Sequence, residues 1–242
     1  MGRSTRWTPG GFGTLTITKA LTIDGGGGQV ASILASGTPG ITISAGSADR
    51  VILRNLAING VATGTNGINF VSGHDLSVEH CTIMNFSNVG INFQPSIHAS
   101  LVVTDSNLES NAGGAVIGSA TSGVSRLALI RSSLHRSGFG VMAAQNSNVQ
   151  ITNSLIASNT GDGAQANGAT AQLTLDSTTL TKNGGDGVHA LNGGVVRMSN
   201  DTVSFNLTGL LAESGGQILT FSNNWVAGNT PDGSRTGTLA PQ

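Results

Sequence analysis

The sequence predicts an all-β chain wound as a single-stranded parallel β-helix, a solenoid of about 8–9 coils of 22–27 residues. Three observations carry this. The segment VQITNSLIASNTGDGAQ from Val149 returns 24 residues later as LTLDSTTLTKNGGDGVH from Leu173. The apolar residues alternate as in x-V-x-V, the period of a strand. No segment sustains an i, i+3, i+4, i+7 pattern, which disfavours helical solenoids. Self-similarity at 20–50 residues marks stacked repeats, in which neighbouring coils supply the core that no coil could form alone.

The elements follow in order. GGFGTLTITKALTIDGGGG is a strand pair without the full repeat, and residues 1–39 are expected to form an N-terminal segment and capping coil. Residues 40–233 hold the repeats and 234–242 a polar tail over the open edge. Each repeat starts with an inward pair: Val51/Leu53, Leu76/Val78, Leu101/Val103, Leu127/Leu129, Val149/Ile151, Leu173/Leu175, Val196/Met198 and Leu219/Phe221. Another aliphatic stands five residues on, from Ile58 to Val226. An Asn then recurs at Asn111, Asn159, Asn183, Asn206 and Asn229, expected at a left-handed bend. A small residue closes the unit, expected at a second sharp turn. Its spacing runs from 22 (Gly187 to Gly209) to 27 (Gly40 to Gly67). A third strand follows, as in Ile68/Phe70 and Val188/Ala190.

Composition narrows function more than it names it. Charged residues are 10% of the chain and the net charge is −1, so there is no electrostatic footprint for nucleic acid. With no Tyr and only 2 Trp, base-stacking platforms are not expected. The basic opening is followed by no apolar run, so neither a signal peptide nor membrane insertion is expected in the chain as it stands. Cys81 is the single cysteine and falls in an inward column with Ser106, Ser132, Ser154 and Thr178, where a small buried residue is expected rather than a nucleophile.

The segments GGFGTLTITKALTI, GTNGINF, NFSNVGINFQPS and SNNWVAGNTPDGSRTGTLAPQ resemble the right-handed parallel β-helix, or pectate-lyase-like, superfamily, and within it bacterial β-helix repeat proteins. The likeness covers roughly residues 10–242. It implies the right-handed winding, a secreted or extracytoplasmic location and a polysaccharide partner. It also implies that any catalysis would be of polysaccharide-lyase or glycoside-hydrolase type. The chain departs from the enzymes of this fold in having no Asp-Asp and no Arg-Ile-Lys, and SGHDL at 72–76 only echoes their histidine turn. No catalytic residue carries over.

The candidate site therefore rests on column register. Glu79, His80, Asp105 and Arg131 fall on successive coils of one face, within ~5–10 Å of their neighbours. A His between carboxylates with a flanking Arg suits general acid/base work on a sugar. Arg54, Arg50 and Asp75 extend this strip as substrate-binding candidates, and Glu109, His135 and Arg136 form a smaller cluster. Opposite charges on adjacent strands also pair simply for solubility and register. No metal or cofactor is expected. Calcium is weighed only at Asp162, Asp186 and Asp232, where Asp-Gly is equally an ordinary turn. His189 is expected to be a solvated histidine between Gln165 and Leu211, and Trp225 a plug on the last coil. Two readings stand: a protein that binds, or also processes, a polysaccharide along one face, and a non-catalytic structural or surface protein. The outward column from Ile52 through Arg197 to Thr220 lacks the flat threonine array that ice binding needs. Oligomeric state is left open.

Overall fold

The structure is a computed structural model that describes residues 2–5, 10–26 and 31–240. The expected capping segment, residues 1–39, thus lies partly outside the described residues. The described elements are all β-strands. They form three parallel sheets of 11, 10 and 9 strands, each coil adding one strand to each sheet in turn. One coil runs Asp75–Glu79 in the first sheet, Thr82–Met84 in the second and Val89–Phe93 in the third, before Ala99–Thr104 opens the next.

Register is set by like residues lying over like. Val51, Leu76, Leu101 and Leu127 are Cα partners in succession, and so are Leu53, Val78, Val103 and Leu129. Val103, Ile151 and Leu175 are 0% exposed, so the files form one continuous apolar core. Burying such a side chain contributes about 1.5–3 kcal/mol.

The last pair breaks the expected register. Ile218 and Thr220 point inward beneath Val196 and Met198, while Leu219 faces out and Phe221 is exposed. Ile218 and Leu219 are adjacent aliphatics, so alternation alone fits either phase, and a one-residue slip flips every side chain. Thr220 is tolerated inside because Oγ1 accepts from the Ser222 backbone N–H and from Asn224 Nδ2.

Two polar files flank the core. Between the second and third sheets, the Asn159, Asn183, Asn206 and Asn229 side chains each accept the backbone N–H of the preceding coil's member, with Ser137 in the same file. Their Nδ2 groups donate back to Leu134, Ile156, Leu180 and Val203 carbonyls. The left-handed residue is the one before the Asn, as at Ser158 (φ 56°) and Lys182 (φ 57°), not the Asn itself. The Asn is selected to satisfy buried backbone groups. The small residues that follow serve close approach rather than a turn: a Cβ on Gly140 would strike the Gly163 carbonyl and the Ile156 side chain. Asp232 ends this file, its Oδ1 accepting from the Asn229 N–H at 2.8 Å, so it does not join Asp162 and Asp186.

The second file lies at the corner between the first and second sheets. Backbone N–H groups of Cys81, Ser106 and Ser132 donate to the hydroxyls of Ser106, Ser132 and Ser154. The file continues through Thr178, Asp201 and Asn224. Cys81 is 2% exposed, and burial pushes its thiol up to about 11, as suits a packing residue.

Candidate functional site

The first-sheet strands carry outward residues in three columns, and the corner after them holds a fourth. The strip residues occupy the edges of this face. His80, Asp105 and Arg131 stand at the corner itself with φ of 51°, 50° and 47°. That left-handed bend recurs once per coil and turns these side chains into solvent.

The strip resolves into separate ion pairs between adjacent coils. Arg131 forks Asp105, Nε to Oδ1 at 2.8 Å and Nη2 to Oδ2 at 2.8 Å. This hydrogen bonding holds the Asp105 carboxyl below its ordinary value. His80 Nε2 stands 3.9 Å from Asp105 Oδ2. Arg54 Nε lies 2.7 Å from Glu79 Oε2 without hydrogen-bond alignment. Arg50 donates to Asp75 at 2.8 and 3.0 Å. Burial pushes Asp75 up, but hydrogen bonds from His74 and Arg50 outweigh it and leave the carboxyl lowered. Arg136 pairs with Glu109, and His135 Nε2 is 2.8 Å from Asn107 Oδ1. Burial, then the neighbouring Arg136, lowers the His135 pKa. A carboxylate held low and forked by arginine is a weak base, so the geometry favours gripping over proton abstraction.

Beside the strip, the first sheet carries a trough of about 520 Å³. It is lined by Val102 and Ala128 and by the polar Arg126, Asn148, Gln150, Gln172, Thr174 and Arg197. The small Val102 and Ala128 leave the room, and the register spreads the lining from Val102 to Arg197 over five successive strands. Those strands span about 19 Å at ~4.8 Å each. Arg197 Nη1 donates to Gln172 Oε1 at 2.6 Å, and Arg126 is exposed. These residues escaped the sequence reading because amide side chains carry no motif, although the columns already aligned them.

Further along, His189 is where the register expected it, between Gln165 and Leu211, but it is not solvated: it is 8% exposed. Asp162, in the turn before the third-sheet strand Ala164–Asn167, folds over it with Oδ2 2.8 Å from Nδ1. Asp186 Oδ2 is 3.4 Å from the same nitrogen. Glu213 Oε1 is 3.4 Å from Nε2. Burial raises the Asp186 pKa, opposed by the Thr208 hydroxyl and reinforced by Asp162. Trp225 does not plug the end. It is 59% exposed on the outer face of the second sheet, while its neighbour Val226 turns inward.

Residues 120–236 match the family model described as the right handed beta helix region. No curated protein matches the chain. Among solved structures it is similar to pectate lyase Pel9A, at 14% identity and a TM-score of 0.73, covering 99% of this chain and 68% of that one. It is also similar to the A-module of the Azotobacter vinelandii mannuronan C-5 epimerase AlgE4, at 13% identity and a TM-score of 0.57, covering 99% and 88%. At these identities the likeness is one of fold. Three parallel sheets, their coil-on-coil register and the matched region make this chain a parallel β-helix solenoid of the pectate-lyase-like fold.

Proposed function

We propose that the protein binds a polysaccharide, favouring one that carries carboxylates, along the outer face of its first sheet. The observation that carries this reading is the trough between Arg126 and Arg197. Arg50, Arg54, Arg131 and Arg136 are held in ion pairs, whereas Arg126 and Arg197 stand outside those pairs among the described residues. Their guanidinium forks suit carboxylates, and the amides of Asn148, Gln150 and Gln172 suit sugar hydroxyls. Arg54, Glu79, His80, Asp105 and Arg131 border this face along its corner edge, Arg50 and Asp75 stand on the opposite edge in the column of Arg126, and Glu109, His135 and Arg136 lie past the corner. The two similar structures, a pectate lyase and a mannuronan epimerase, are named for uronate polymers, which supports the same ligand class.

Affinity electrophoresis in gels containing polygalacturonate or alginate tests the reading. The Arg126→Ala/Arg197→Ala double variant should bind at least about tenfold more weakly, a loss of about 1.4 kcal/mol. Asp105→Ala and Arg131→Ala should cost only two- to threefold. Retardation unchanged in both sets would remove polysaccharide binding from this face. A structural or surface role is the second reading, favoured by the matched ion pairs between coils. It would be left standing by that outcome, and it would be refuted by ultraviolet absorbance from an unsaturated product on any uronate polymer.

A further inference from the structure

The His189 cluster sits on the third sheet, away from the trough, and its protein groups do not satisfy one another. Asp162 Oδ1 accepts the Asp186 N–H at 2.9 Å, and Gln165 Nε2 donates to Asp162 Oδ2 at 3.0 Å. Two polar atoms are left buried without a hydrogen-bond partner: His189 Nε2 and Gln165 Oε1. A neutral imidazole has one N–H. If Nδ1 carries it toward Asp162, the Nε2 lone pair faces the Glu213 carboxylate; if Nε2 carries it, the Nδ1 lone pair faces Asp162 and Asp186; each is acceptor against acceptor. If both nitrogens are protonated, one positive charge meets three carboxylates, and among the described residues no lysine or arginine joins the ion pairs of the cluster. Either state leaves negative charge in a mostly buried pocket, which is costly.

We propose that Asp162, Asp186 and His189 bind one divalent first-row transition cation, zinc or manganese in type, with Glu213 as the outer partner of the imidazole. The donor atoms of the three residues all lie within 4.8 Å of one another. Ligand atoms about 2.0–2.2 Å from a shared zinc stand roughly 3–3.5 Å apart. Of the observed separations from Nδ1, 3.4 Å lies within that range and 2.8 Å just below it. With Nδ1 on the cation, the ring proton moves to Nε2 and points at Glu213. The carboxylate–histidine–metal arrangement then forms, and the orphaned nitrogen is satisfied. Gln165 Oε1 becomes available to a metal-bound water. An imidazole beside carboxylates selects zinc or manganese over calcium, which takes six to eight oxygens.

Isothermal titration of the untagged, EDTA-treated full chain with zinc chloride, manganese chloride and calcium chloride tests the site. The expected result is one zinc or manganese per chain, a matching rise in Tm, and calcium weaker by tenfold or more. Asp162→Asn keeps an oxygen for the Asp186 N–H and should weaken the cation at least tenfold. Glu213→Gln, at a side chain 52% exposed, should weaken it 10- to 100-fold without loss of fold. Cobalt substitution supplies a second readout, a visible absorption band that His189→Gln should abolish. Absence of saturable binding, or binding that Asp162→Asn and Glu213→Gln leave unchanged, would overturn the proposal. Polysaccharide binding at the first sheet would be unaffected by either variant.

Discussion

Asp201 shows how one residue type can fit a position and still oppose the fold. Its file at the first corner is otherwise Cys, Ser, Thr and Asn, and Asp201 fills the same role. Oδ1 accepts the Thr178 N–H at 2.9 Å and Oδ2 the Ser199 N–H at 3.1 Å. It is 1% exposed, and burial raises its pKa to about 7, against the pull of those two N–H groups. The unfolded chain releases this proton near pH 4. Between there and pH 7 the folded state holds more protons, so stability falls as pH rises through that window. Asp201→Asn removes the penalty, and Asn224 shows that an amide is accepted one coil on, donating to the Met198 carbonyl at 3.3 Å. The Ser199 N–H loses a carboxylate partner, which trims the gain. The variant should be about 1–3 kcal/mol more stable than the parent at pH 8 and no more stable at pH 4. Thermal melts at both values check this, and a difference independent of pH would count against a buried ionised carboxylate.

At the scale of the element, the Asn file is the feature whose position was readable and whose purpose was not. The spacing placed Asn159, Asn183, Asn206 and Asn229 correctly, because each coil repeats its local chemistry. The sequence predicts a bend at these positions, because Asn tolerates αL. The structure shows the bend one residue earlier and the amides turned inward. Asn183 Oδ1 accepts both the N–H and the Nδ2 of Asn159, and its own Nδ2 serves the Ile156 carbonyl and Asn206. Asn183→Ala should cost about 3–5 kcal/mol by leaving several buried groups unpaired. Asn183→Ser should cost clearly less, since Ser137 stands in the same file and accepts and donates there. Urea unfolding orders the three proteins, and equal losses for Ala and Ser would mean that volume rather than hydrogen bonding matters. The same distinction explains the candidate sites. Columns on strands were legible, so the strip was aligned from register alone, whereas the trough beside it went unmarked because its amide side chains carry no motif. The His189 cluster was not legible, because Asp162 approaches from a turn and alternation does not say where a turn folds. The slip at Ile218 has a third cause: two adjacent aliphatics leave the phase of a strand undetermined.

At the scale of the whole molecule, stability is a sum over stacked neighbours, and the end has a neighbour on one side only. The central coils are fully enclosed: Ile151, Ile156, Leu175, Leu180 and Val203 are each 0% exposed. Toward the C-terminus the enclosure thins, with inward Leu210 at 8% and Val226 only partly buried. What covers the edge is slight. Gly237–Thr238 pairs with Leu219 and Thr220, the Thr236 N–H donates to the Ile218 carbonyl at 2.8 Å, and Gly233 bridges Leu210. Local opening should therefore begin there. In native-state hydrogen exchange, amides of residues 221–239 should exchange at least about 10- to 100-fold faster than those of Val149–Val203. Core truncation should follow the same gradient. Ile151→Ala leaves a cavity in a packed interior and should cost about 2–5 kcal/mol. Val226→Ala, at a half-covered end, should cost about 1 kcal/mol or less, because the lost surface was already partly wet. If the terminal amides proved as protected as the central ones while Val226→Ala cost as much as Ile151→Ala, some further surface would have to cover this end, and exposed Phe221 and Trp225 would be the place to look for it.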